Sequence, residues 1–188
     1  MNQRERYGYA VLFTQGPRLG DLFEGRGWKE RWRIIRRHPK VCYQLWGSWL
    51  SGKLTGSGHR HCLPSDSEQA MDFGFCKIQF VPMDRFDRRH HNLMGWVYFE
   101  SPMKPDWDQY KNMKSGLWYA TFGRILMWMT RGWFQCRNCT TITRHWLQCL
   151  GVPVPRKCWN PKLLLLWMTE NGFTYASGYA TNDIESVD

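Results

Sequence analysis

Of the seven cysteines spread along these 188 residues, Cys139 stands where a thiol gains chemistry. It follows Asn138, a helix-capping residue type, and opens a segment through Leu150 that has helical periodicity. Backbone N–H groups and the helix dipole at such a position stabilise the thiolate, which is the nucleophilic form. A thiol nucleophile needs a base and a group to orient that base. His59 heads a hairpin strand and Asp72 lies on the returning strand, so the parts Cys139, His59 and Asp72 are present, histidine first and cysteine last. Cys136 stands three residues earlier and is a rival nucleophile. His61 shares a strand face with His59, by alternation, and is a rival base or orienting group. The expected reaction is attack of the Cys139 thiolate on a carbonyl carbon. His59 acts as base and then acid, and backbone N–H groups near Cys139 hold the oxyanion. This chemistry calls for no metal and no cofactor.

The elements that must position these groups are readable from pattern. Tyr9 to Phe13 is a strand before the breaker Gly16-Pro17. Trp28 to Arg37 is a basic amphipathic helix with Trp28, Trp32 and Ile35 on one side, ended by Pro39. Val41 to Leu50 is a second aromatic-rich segment. His59 to Leu63, a turn at Pro64 to Ser67, Ala70 to Phe75 and Lys77 to Val81 form a hairpin region, and Trp96 to Phe99 is a further strand. Asp106 to Lys114, Leu117 to Met129 and Thr140 to Leu150 have helical spacing, and Asn160-Pro161 starts a last helix over Lys162 to Thr169. A strand-rich first half followed by a helical second half implies an α+β fold, a small antiparallel sheet packed on helices. The length suits a single domain over 1–188.

A formal charge of +10 favours anionic surroundings, whether nucleic acid, acidic lipid, a cell-wall polymer or an acidic partner. Five of the ten residues from Trp28 to Arg37 are cationic, and that helix is the candidate contact for an anionic surface or partner. The tail, by contrast, is acidic at Asp183, Glu185 and Asp188. Twelve tryptophans demand an aromatic core or grooves that give the indole N–H an outlet. The odd cysteine count and an opening without an apolar signal core imply free thiols in a reducing compartment. The longest apolar stretch, Leu117 to Met129, is interrupted by Arg124 and is shorter than the ~20 residues of a transmembrane span. The expected location is cytoplasmic, or within a virion.

Gly58-His59-Arg60-His61-Cys62-Leu63-Pro64-Ser65-Asp66, the strand Lys77 to Pro82, the aromatic run Leu117 to Gly123, Trp133-Phe134 through Cys139, Leu150-Gly151 and Asn160-Pro161-Lys162 together resemble the permuted papain-like, NlpC-type amidase and peptidase family of bacteria and their phages. The resemblance spans residues 55–170 and leaves 1–54 as an N-terminal extension and 178–188 as an acidic tail. It implies a circularly permuted papain-like fold and a cysteine nucleophile acting on an amide or thioester, with a peptide or cell-wall amide as substrate. The chain departs from the family pattern at Thr140-Thr141, where Ser-Glu often follows the cysteine.

Two other classes of function fit parts of the chain. One is a structural or virion component that keeps the scaffold without the chemistry, bound to virion proteins. The other is a zinc-stabilised module for single-stranded nucleic acid, suggested by Cys136-x2-Cys139-x5-His145-x3-Cys149, a spacing close to that of a zinc knuckle. Thr140 to Leu147 lacks the glycines of a knuckle and places Ile142, Trp146 and Leu150 on one helical face.

Overall fold

The computed structural model describes residues 5–15, 19–55, 60–74, 77–86, 92–111, 113 and 121–178. His59 lies outside the described residues, as do His90, His91, residues 114–120 and the acidic tail. The chain forms a mixed α+β structure around a six-stranded antiparallel sheet of order β4-β3-β2-β1-β5-β6. β1 (Tyr7–Gln15) is central, flanked by β2 (Arg60–Ser65) with Leu12 opposite Leu63, and by β5 (Leu93–Ser101) with Val11 opposite Val97. β3 (Gln69–Gly74) and β4 (Lys77–Pro82) form the outer hairpin, Met71 opposite Phe80. β6 (Tyr175–Ser177) closes the other edge against β5. The sequence pattern did not announce β6, because three residues carry too little alternation. Gly95 permits its approach: a Cβ there would overlap the Tyr175 hydroxyl and the Ala176 carbonyl.

Strand alternation divides the sheet into two faces. Tyr9, Val11, Phe13, Cys62, Met71, Val97 and Phe99 pack into the main core. The helices on that face are α4 (Asp108–Lys111), α6 (Cys139–Cys149) and α7 (Pro161–Glu170), through Tyr110, Ile142, Trp146, Leu147, Leu164 and Met168. Leu12, Leu63, Ala70, Phe86 and Leu93 form a smaller cluster on the opposite face. Trp146 is the hub of the main core. Its fully buried indole meets the rings of Tyr9 at 5.6 Å, Phe99 at 5.9 Å and Trp107 at 5.8 Å, spacings at which edge and tilted contacts add to burial.

Between β1 and β2 the chain inserts α1 (Leu19–Phe23), α2 (Trp28–Arg37) and α3 (Pro39–Thr55), so the first half is not uniformly strand-rich. Pro39 does more than end α2: it opens α3, where a proline lacking N–H forfeits no helical bond. The stretch expected to be helical over Asp106 to Lys114 contracts to the single turn α4. α5 (Phe122–Met129) packs beside α3: the Tyr43 hydroxyl lies 2.8 Å from Thr121 Oγ1, and Arg124 Nη1 donates to the Ser48 carbonyl at 3.2 Å. The turn between β2 and β3 falls later than the pattern implied, with Pro64 and Ser65 inside β2. Asp66 Oδ1 accepts from the amides of Glu68 and Gln69 at 2.8 Å each, and its Oδ2 accepts from Trp107 Nε1 at 2.8 Å.

Candidate active site

Asn138 fixes the start of α6. Its backbone is extended, its side chain accepts from the Thr141 amide at 2.8 Å, and Thr141 Oγ1 returns the bond by accepting from the Asn138 amide at 2.9 Å. This reciprocal cap makes Cys139 the first helical residue. The Ile142 amide goes to the Asn138 carbonyl at 3.0 Å. Among the described residues, the amides of Cys139 and Thr140 are thereby left in the first turn as donors for a developing negative charge.

Two threonines dock this turn on β2. Thr143 Oγ1 donates to the Cys62 carbonyl at 3.2 Å, and Thr140 Oγ1 lies 3.6 Å from Cys62 Sγ and 3.8 Å from Cys139 Sγ. Both sulfurs are buried, Cys62 completely and Cys139 with 8% of its surface exposed. Interaction with the neighbouring Cys62 thiol draws the Cys139 pKa down, helped by the Cys62 amide, Thr140 and the positive charge of Arg124, while burial opposes them. Burial, reinforced by the neighbouring Cys139, pushes Cys62 well up. One sulfur is thus set to carry charge and the other to hold the proton.

Cys136 is a different kind of thiol. It sits 3.2 Å from the Met127 sulfur, and burial pushes its pKa up to about 12, so it lacks the thiolate character of a nucleophile. Cys158 is likewise pushed up by burial, to about 11. Cys42, Cys62, Cys136, Cys139, Cys149 and Cys158 are all free thiols.

The other residues singled out from sequence distribute as follows. His61 and Asp72 are both half-buried. By alternation His61 shares the face of Leu63, and Asp72 that of Ala70, whereas Cys62 and Met71 face the core containing Cys139. The strand side chain that meets Cys139 is therefore Cys62. One signal for it was local, its position directly after His61 on the hairpin strand. His145 and Cys149 are exposed on the far part of α6, where His145 Nδ1 lies 2.9 Å from the Tyr110 hydroxyl and 4.0 Å from Cys149 Sγ. The four residues with knuckle-like spacing do not converge, and among the described residues no group of three or more His, Cys, Asp or Glu side chains is placed to hold a metal. Arg144, buried midway along α6, bonds the Arg156 carbonyl at 3.3 Å and Gln135 Oε1, tying α6 to the two loops beside it.

No family model matches the chain, and no curated protein or solved structure matches it.

Proposed function

We propose that the protein is a thiol hydrolase in which Cys139 attacks the carbonyl carbon of an amide, in a peptide or cell-wall fragment. The observation that carries this reading is the placement of Cys139 at the capped first position of α6, beside Thr140 and the Cys62 strand, where its thiolate is favoured. His59, three residues before Cys62 in the chain, is the base assigned to the reaction. The thiolate adds to the carbonyl, the amides of Cys139 and Thr140 hold the oxyanion, and collapse expels the amine with a proton from the His59 imidazolium. Water, deprotonated by His59, then releases the acid from the thioester. The orienting group in this reading is Asp72 or His61, both of which stand on the sheet face away from Cys62. In the same reading the protein acts in the cytoplasm or in a virion, and the cations of α2 hold an anionic partner.

An activated ester tests the chemistry without knowledge of the natural substrate. Brief exposure to p-nitrophenyl acetate followed by peptide mass mapping should place acetyl on Cys139 in the wild type and nowhere in Cys139→Ser. Acetyl distributed over the exposed thiols, or absent from Cys139, contradicts the reading.

A further inference from the structure

Residues Trp28 to Arg37 form α2, and none of them is buried. At 3.6 residues per turn, Trp28, Trp32 and Ile35 make one stripe, with Arg31 on one side of it and Lys29 and Arg36 on the other. Ile35 is half-buried, but Trp28 and Trp32 are 75% and 52% exposed and stack on each other at 6.1 Å and 9°. Lys29, Arg33, Arg36 and Arg37 surround Trp32 along a surface hollow of about 340 Å³. The one acid of the helix, Glu30, faces Arg26 at 4.0 Å, so nothing acidic on α2 offsets these four cations.

Exposed aromatic and apolar side chains also lie on α3 and α5. On α3, Tyr43, Trp46 and Trp49 are exposed at a spacing of three, and on the adjoining α5 Phe122, Leu126 and Met129 are exposed one turn apart. Large apolar side chains exposed on neighbouring helices in this number mark an interaction face. A polyanion such as nucleic acid would satisfy α2, yet it gives no environment to the aliphatic and aromatic stripe of α5, which carries no interleaved cation. The boundary between phospholipid headgroups and acyl chains satisfies both: indoles settle at headgroup depth, and arginines extend their stems over apolar surface toward phosphate. No helix among the described residues is long and apolar enough to cross a membrane.

We infer that α2, with the exposed faces of α3 and α5, docks the protein on the surface of an anionic phospholipid bilayer, α2 lying in the headgroup plane. This rests on the reading that the cations of α2 hold an anionic partner. Each Lys or Arg near an anionic leaflet contributes roughly a factor of five in affinity, so losing three costs about a hundredfold.

The test uses the full chain, vesicles of phosphatidylcholine with or without phosphatidylglycerol, and a heparin column. Wild type should co-sediment with the phosphatidylglycerol vesicles, lose that binding as salt rises, and be retained by heparin. Substituting Arg33, Arg36 and Arg37 by Gln should abolish both bindings. Trp28→Ala with Trp32→Ala should leave heparin retention intact and weaken vesicle binding about tenfold or more. Vesicle binding unchanged in the tryptophan variant, or tight binding of a single-stranded oligonucleotide with none to vesicles, overturns the bilayer assignment while leaving an anionic partner standing. Heparin retention unchanged by the arginine substitutions overturns the anionic partner and the bilayer assignment together. Both variants alter only exposed side chains, and circular dichroism matching the wild type verifies their fold.

Discussion

A thiol becomes a nucleophile through its surroundings, and the two sulfurs at the α6–β2 junction show opposite outcomes of similar burial. Cys139 has the neighbouring Cys62 thiol and the helix start to favour its thiolate; Cys62 has burial and a thiolate neighbour that keep it protonated. The linkage has a definite sign. A cysteine whose folded pKa lies below its unfolded value of about 8.5 contributes stability that is complete above that value and is lost as pH falls through the folded pKa. Cys62, shifted up, contributes below the same value and loses its contribution as pH rises. Cys139→Ser should therefore lower unfolding free energy more at about pH 8 than at about pH 5, measured by urea denaturation at both. A larger loss on the acidic side would mean that Cys139 folds as a thiol. At this scale sequence was informative about Cys139, because an Asn-Cys pair before an apolar period is a local signal. It was uninformative about Cys62, whose contact to Cys139 joins residues 77 positions apart in the chain and depends on which sheet face each strand residue takes. His61 and Asp72 show the same lesson: their types fit a catalytic set, and strand parity places them on the other face.

At the scale of elements, the cap of α6 links stability to reactivity. Asn138 is buried and its side chain holds the Thr141 amide, so Asn138→Ala should cost about 1–2 kcal/mol. It should also slow Cys139 alkylation at acidic pH, since a frayed first turn loses its aligned N–H groups. Thermal unfolding and alkylation rate together check this; a stability loss with unchanged reactivity would separate the helix start from the thiolate. Asn160 performs the same cap for α7, accepting from the Leu163 amide at 2.9 Å. Both helix starts were legible because capping is local chemistry. α2 was legible to its exact bounds for a related reason, being set by a break at either end. α3 was not, since its mixed small and aromatic residues lack a clean apolar period and owe their helix to packing against α5.

Across the whole molecule, β1 and Trp146 join sheet to helices. Trp146→Ala would empty a site walled by Tyr9, Phe99 and Trp107 and should cost about 3–5 kcal/mol, read as a drop in the urea midpoint. A loss below about 1 kcal/mol would show that the core closes without the indole. The α+β class was legible from the order of strand and helix patterns. The six-strand order was not, because it depends on β6 and on the return of β5 to β1, pairings between segments far apart in sequence. That topology brings Cys139 onto β2, and nucleophilic chemistry there depends on the state of its sulfur. The direct measurement is the pH dependence of iodoacetamide alkylation at each cysteine, followed by mass spectrometry from about pH 5 to 9. Cys139 should be modified first and retain its rate at about pH 6, where Cys136 and Cys158, held up at about 12 and 11, stay inert. A Cys139 profile that rises only above about pH 8 would contradict a thiolate nucleophile at the head of α6.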